Sequence, residues 1–109
     1  AISTQDVAAS FQTAVVDVLV AKSVKAAKHI GAKTIALGGG VAANSLLRQQ
    51  MTAMCAQHGW RLVLPSMAMC TDNAAMIASA GWYRLLQDGP SELSMGAMPN
   101  LKLTDRTTA

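Results

Sequence analysis

The chain has 109 residues, 51% of them apolar, and nine Lys and Arg oppose six Asp and Glu to give a net charge of +3. That length fits one domain or a piece of one, able to bury roughly 60–70% of its unfolded surface. Only 14% of the residues are charged and the mean hydropathy is positive, which excludes a disordered tail, and a charge of +3 is too small to argue for nucleic acid by itself.

The first helix is predicted to start after Ser3, because Ser3-Thr4-Gln5-Asp6 has the form of a capping box with Asp in place of Glu or Gln. It is expected to run to about Ile30, where a cationic last turn and Gly31 supply the stop. Between Ala8 and Ala21 the polar residues are Ser10, Gln12, Thr13 and Asp17. Ser10, Thr13 and Asp17 follow helical spacing as one narrow wet stripe, so the remaining surface must be covered on several sides. Asp17, Lys22, Lys25 and Lys28 punctuate this stretch, and no apolar run is expected to reach the ~18 residues of a membrane span. No secretory apolar region opens the chain.

Lys33 to Leu37 is a short apolar run ending in Gly38-Gly39-Gly40, the pattern of a buried parallel strand. A second helix is expected from about Ala42 to His58, with Leu47, Met51, Met54 and Cys55 as its core stripe and Arg48, Gln49, Gln50 and Gln57 largely off it. Gly59 ends that helix, Trp60 to Leu64 reads as the second strand, and Pro65 closes it. A loop over 66–71 leads to a third helix from about Asp72 to Gln87, capped by Thr71 or Asp72 and ended by Gly89-Pro90. Met76, Ile77, Tyr83, Leu85 and Leu86 read as core or rim, and 90–109 as a loosely structured tail. The order is αβαβα, an α/β class with a short parallel sheet. Two strands make a poor sheet and the chain opens with Ala1, so a fragment of a larger α/β protein is expected.

Three places could carry chemistry. Gly38-Gly39-Gly40 lets a backbone approach a ligand, and the following helix start offers amides to an anion, with Asn44 in the first turn. It is neither a dinucleotide fingerprint nor a P-loop, and the plainer reading is a tight turn with Asn44 as a cap. Cys70-Thr71-Asp72-Asn73 lies at the second strand's carboxyl end, the edge where ligands gather in parallel sheets. Asp72 is there either a hard metal ligand or an ordinary helix start. Small residues from Ala74 to Gly81 permit close packing to another backbone or to a nucleotide. The remaining signals are weak. Lys22, Lys25, Lys28 and Lys33 form either a solvated face or a weak tRNA-facing patch. His29 and His58 share no ligand spacing, and no nucleophile set is visible. Cys55 and Cys70 match no zinc pattern and read as reduced, structural thiols of a cytosolic protein.

Gly38-Gly39-Gly40-Val41-Ala42-Ala43-Asn44-Ser45-Leu46-Leu47-Arg48, then Pro65 and Cys70-Thr71-Asp72-Asn73-Ala74-Ala75-Met76-Ile77-Ala78, resemble the C-terminal region of the TsaD-type tRNA threonylcarbamoyladenosine transferases, once described as endopeptidases. Asp6 to Gln12 and Val15 to Leu19 resemble the helix before that glycine loop. The likeness runs from about residue 5 to 88 and more loosely to the end.

The resemblance implies a two-lobed fold like the actin, Hsp70 and sugar-kinase ATPases (the ASKHA fold). Residues 1–109 would be part of its C-terminal lobe, without the N-terminal lobe. It implies transfer of threonylcarbamoyl from threonylcarbamoyl-AMP to the N6 amine of the tRNA adenosine 3′ of the anticodon, with AMP leaving. The family's nucleotide-contacting Asn is carried onto Asn44, and backbone contact to the adenylate onto the glycine loop, Gly39 and Gly40 included. One divalent metal, iron or zinc, is implied, held by a His-x-x-x-His pair and a later Asp carried onto Asp72. This sequence has no His-x-x-x-His, so the chain alone is expected neither to hold the metal tightly nor to transfer the group. Accessory proteins of the threonylcarbamoyl-adenosine synthesis complex, a cytoplasmic location and no membrane are also implied. The glycine loop and Asp72 are expected to line one cavity whose other wall lies outside this chain. Rival readings are an interaction half-domain that self-associates, and a carbamoyltransferase of the same superfamily with a non-tRNA acceptor.

Overall fold

The computed structural model describes residues 1–102. They divide into two compact units that meet between Asp72 and Asn73; the last seven positions of the expected tail lie outside the described residues.

In the first unit, helix α1 spans Thr4–Ile30. The capping box forms as expected: Asp6 N donates to Ser3 Oγ at 3.1 Å, and Ser3 N donates to Asp6 Oδ2 at 3.0 Å. Gly31 ends the helix in the left-handed region with φ 68°, a conformation that glycine adopts without a Cβ penalty. Strand β1 is Thr34–Ala36. A 3-10 turn over Gly40–Ala43 then leads into helix α2, Ser45–His58, which Gly59 closes. Strand β2 is Arg61–Val63, and a second 3-10 turn covers Met67–Met69. β1 and β2 pair in parallel, with Thr34 opposite Arg61, Ile35 opposite Leu62 and Ala36 opposite Val63. The α/β order and the short parallel sheet are as the sequence implies.

The core is the stripe read from α2. Leu47, Met51, Met54 and Cys55 are buried and cluster with Val16 of α1, and Met51 is 0% exposed. Val20, Val24, Ile35, Leu37, Trp60 and Leu62 pack around them. The strands are covered on one face only: Ile35 and Leu62 point to the core, while Thr34, Ala36, Arg61 and Val63 are exposed. The expectation of strands buried on both faces is therefore corrected. α1 and α2 cover one side, and no described element of this unit supplies the other layer that a parallel sheet requires.

Two further expectations change. By length and composition α1 is apolar enough to cross a membrane, since an 18-residue window of it has a mean hydropathy of 1.4. Its cations gather in its last third, so they do not break the long window before them. The core helix of a soluble protein, which is mostly buried, meets the same test; here 6% of the window is buried, and α1 lays Val16 and Ala27 into the protein. Ser10, Thr13 and Asp17 are exposed as expected, but the cover expected over the rest of α1 is missing among the described residues, where Val7, Phe11, Val15 and Val18 are exposed. Gln12 and Asp17 meet α2, with Gln12 Oε1 accepting from Asn44 Nδ2 at 3.0 Å and Asp17 Oδ1 from Gln50 Nε2 at 3.4 Å.

The second unit holds helix α3, Ala74–Asp88. It starts later than expected because its cap is Asn73, whose Oδ1 accepts from Met76 N at 3.0 Å. Met76, Ile77, Tyr83, Leu85 and Leu86, expected as core or rim, are exposed. Within this unit no other described helix or strand is present to cover them. From residue 90 to residue 102 there are turns and no helix or strand.

Candidate functional site

Two loops leave the carboxyl ends of the parallel strands. After β1, Leu37 N still donates to Val63 O at 3.1 Å, and the chain then turns through the glycines. Gly39 has φ 82° and ψ 172°, a combination essentially restricted to glycine. Ala42 N donates to Gly39 O and Asn44 N to Val41 O, both at 3.0 Å. The expected helix start at Ala42 is thus a 3-10 turn, and Asn44 is the N-cap of α2. Asn44 Oδ1 accepts from Leu47 N at 2.9 Å and Nδ2 donates to Gln12 Oε1 at 3.0 Å. An amide oxygen has a second lone pair and an amide nitrogen a second hydrogen, so each end retains capacity for one more bond.

After β2, Pro65 and the Met67–Met69 turn carry the chain to Cys70, which is buried. Its thiol donates to Ser66 O at 3.4 Å. Thr71 and Asp72 follow and are exposed, as are Gly38, Gly39 and Gly40. The two loops run close together: a Cβ placed on Gly40 would stand 3.8 Å from Thr71 Cγ2. The structure therefore sets the glycine turn beside the segment that presents Asp72, at one end of the sheet. Both segments are exposed on this unit. Two shallow depressions run along α1, one lined by residues such as Asp6 and Phe11 and one by Lys22 and Lys25.

Arg48 holds the two loops together. Its Nη1 donates to Ala42 O at 2.8 Å, its Nη2 to Pro65 O at 2.7 Å, and Nη1 also lies 3.7 Å from Cys70 Sγ. A planar guanidinium with donors on two nitrogens joins both loops through one half-buried side chain. Sequence reasoning placed Arg48 among residues off the core stripe and gave it no role. The available signal was its position at the end of the glycine-loop motif, one turn into a helix. Gln12 was equally legible as the polar residue of α1 outside the Ser10–Thr13–Asp17 stripe.

Among the described residues no group of three His, Cys, Asp or Glu side chains is placed to hold a metal ion. Asp72 is a single exposed carboxylate, so the described residues do not by themselves make up a transition-metal site. His29 and His58 lie in the last turns of α1 and α2, and His58 stacks on Trp60 with ring centroids 4.5 Å apart. Cys55 and Cys70 are buried free thiols, and burial pushes the Cys55 thiol up, away from the reactive thiolate.

The profile of the TsaD family, described as tRNA N6-adenosine threonylcarbamoyltransferase, matches residues 1–79. The chain belongs to the TsaD family. Proteins of that description align with nearly all of it. That of Caldicellulosiruptor saccharolyticus is 46% identical over 102 residues, 94% of this chain and 30% of the relative. That of Clostridioides difficile is 48% identical over 99 residues, 91% of this chain and 29% of the relative. That of Clostridium perfringens is 47% identical over 105 residues, 96% of this chain and 31% of the relative. The chain thus spans about 30% of the length of the relatives it matches. The family match covers α1, both strands, α2, both site loops and the start of α3.

Proposed function

We propose that this chain is part of a tRNA N6-adenosine threonylcarbamoyltransferase and supplies one adenylate-facing edge of its site. It would belong to the C-terminal lobe of an ASKHA-like fold. The observation that carries the reading is the Arg48 clamp, which joins the glycine-loop side at Ala42 O to the second loop at Pro65 O, inside the segment that matches the family. The loops face one edge of a parallel sheet, where backbone amides and a carboxylate are available together. Threonylcarbamoyl-AMP is a mixed anhydride, and its phosphate becomes the leaving group when the adenosine amine attacks. Backbone at Gly39 and Gly40 approaches that phosphate closely, and amide donors there would favour the charge it gains. The remaining hydrogen-bond capacity of Asn44 orients the nucleotide. No side-chain nucleophile is required.

Asp72 is proposed as the one ligand this chain offers to an iron or zinc ion, the other ligands lying outside the described residues. The chain alone would then be inactive. A cytoplasmic location and accessory proteins of the synthesis complex belong to the same proposal. The names of the relatives favour tRNA over another carbamoyl acceptor. A second reading, compatible with the first, is that the chain by itself pairs with another copy, because α1 exposes Val7, Phe11, Val15 and Val18.

The test separates the cap from the substrate contact. In a full-length transferase carrying this chain, Asn44→Ser keeps an N-capping oxygen but loses the amide reach. Its Kd for threonylcarbamoyl-AMP is expected to rise on the order of tenfold, the loss of one net hydrogen bond, with the thermal midpoint little changed. An unchanged Kd would remove Asn44 from the site. Asp72→Asn is expected to lower bound metal and transfer together; full metal content in that variant would remove Asp72 from the ligands.

A further inference from the structure

Between Val18 and Thr71 the sequence contains Lys22, Lys25, Lys28, Lys33, Arg48 and Arg61 and no Asp or Glu. Arg48 is consumed by the loop clamp. The other cations are exposed. Among the described residues the recorded ion pair, Arg84 with Asp88, lies in α3 and involves none of them.

The fold collects these cations. At about 100° per residue, Lys22, Lys25 and His29 occupy the face of α1 opposite Val16, Val20, Val24 and Ala27, with Lys28 on its flank, and the four line one shallow depression with Ala26. Three residues after α1 ends, the chain reaches Lys33 at the amino end of the sheet. Arg61 N donates to Lys33 O at 2.8 Å, which puts Arg61 beside it at the start of β2. The acids of this unit stand elsewhere. Asp6 is in the first turn of α1, Asp17 turns toward Gln50 of α2, and Asp72 is on the carboxyl edge of the sheet.

Helix dipoles explain part of this pattern. Cations in a last turn are favoured, which accounts for Lys28, His29 and His58. Lys22 and Lys25 lie more than a turn upstream, and Lys33 and Arg61 belong to the strand ends, so the dipole does not account for them. Like charges placed together without carboxylates repel, and a polyanion relieves that repulsion. The helical row extends about 10 Å along the axis at 1.5 Å per residue. A row of that length suits successive phosphates of a strand better than one small anion.

We infer that the outward face of the C-terminal half of α1, carrying Lys22, Lys25 and Lys28, is a sequence-independent contact for the phosphate backbone of RNA. This rests on the transferase reading for the choice of RNA over an acidic protein. It lies at the opposite end of the parallel strands from the loops of Gly40 and Asp72, so it would contribute affinity for tRNA without touching the reacting groups.

The experiment uses the full-length transferase carrying this chain, with Lys22, Lys25 and Lys28 changed together to Gln and with Arg84→Gln as a control. tRNA binding is measured by anisotropy across a salt series, and transfer is measured at varied tRNA. Each lost phosphate contact reduces the slope of log K against log salt by roughly 0.7–0.9. The triple variant is expected to lose about 2 to 3 from the slope, to raise KM for tRNA on the order of tenfold at low salt, and to keep kcat. The control is expected to change neither. A folded triple variant (unchanged far-UV circular dichroism) with the parent's slope and KM would overturn the inference while leaving the transferase reading intact. Loss of slope in a parent that transfers no threonylcarbamoyl would instead sink the transferase reading and keep the RNA contact. If the variant bound tRNA like the parent but lost binding to polyglutamate, the face would serve an acidic protein and the RNA inference would fail.

Discussion

Arg48 makes its bonds with one guanidinium to carbonyls of two different loops, 2.8 Å to Ala42 O and 2.7 Å to Pro65 O. Hydrogen bonds from a charged donor contribute about 1.5–3 kcal/mol each, and a stranded partner adds a desolvation cost. Arg48→Ala in a full-length transferase is expected to cost about 2–3 kcal/mol in denaturant unfolding and to lower kcat/KM by separating the loops. Arg48→Lys should recover only part of both, because a single ammonium cannot fork to the two carbonyls. Equal stability of the alanine variant would show that the loops are held by something else. The thiols are the counter-example at this scale, reactive in principle and silent in place. Cys55 is buried in the core and its thiol is pushed up by that burial. Alkylation at neutral pH is expected to reach Cys55 only after unfolding, and rapid labelling of the native protein, read by mass spectrometry, would contradict its placement.

Among the elements, α1 owes its starting point to three atoms. Asp6 Oδ2 accepts from Ser3 N at 3.0 Å and from Ser3 Oγ at 2.7 Å. The side-chain bond, then the backbone bond, holds the Asp6 carboxyl below its ordinary value. Because the folded value is the lower one, this contribution is present above the unfolded value of about 3.9 and is lost as pH falls through the folded value. Amide shifts of Ser3 and Asp6 are expected to move together below pH ~4, with fraying confined to the first turn, and Ser3→Ala should abolish the shift of the Asp6 titration. Titration of Asp6 at its ordinary value in the parent would mean that the box is open. Local rules place both other helix starts as well, with one displacement each. Asn44 and Asn73 are the caps; for α3 the sequence pointed to Thr71 or Asp72 instead, since all of these residue types cap and spacing alone does not choose among them.

At the scale of the molecule, the chain spans about 30% of the length of its relatives, and its surfaces show it. Phe11 is 71% exposed on α1 and Ile77 70% exposed on α3, and among the described residues of the first unit no layer covers the outer face of the sheet. Exposed apolar surface on each unit marks contacts with other protein. The 109-residue chain on its own is expected to associate with itself and to bind a hydrophobic dye. A strictly monomeric, dye-silent chain by light scattering and fluorescence would argue against the exposed faces being contact surfaces.

The sequence by itself determined the order of helices and strands, the capping box at Ser3, the glycine stops, the buried stripe from Leu47 to Cys55, and the family. These are periodicities and short-range signals, set by contacts within a few residues or by the repeat of one face. Only the tertiary structure decided that Gln12 reaches Asn44, that Arg48 clamps two loops, and that the glycine turn lies beside Thr71. Each of those joins residues many positions apart, and their separation is closed by the parallel pairing of β1 with β2 and by the packing of α1 on α2. The exposure of α3 and of the outer sheet face escaped the sequence for the same reason. Apolar pattern states which face seeks cover, and only the arrangement of the other elements states whether cover is there.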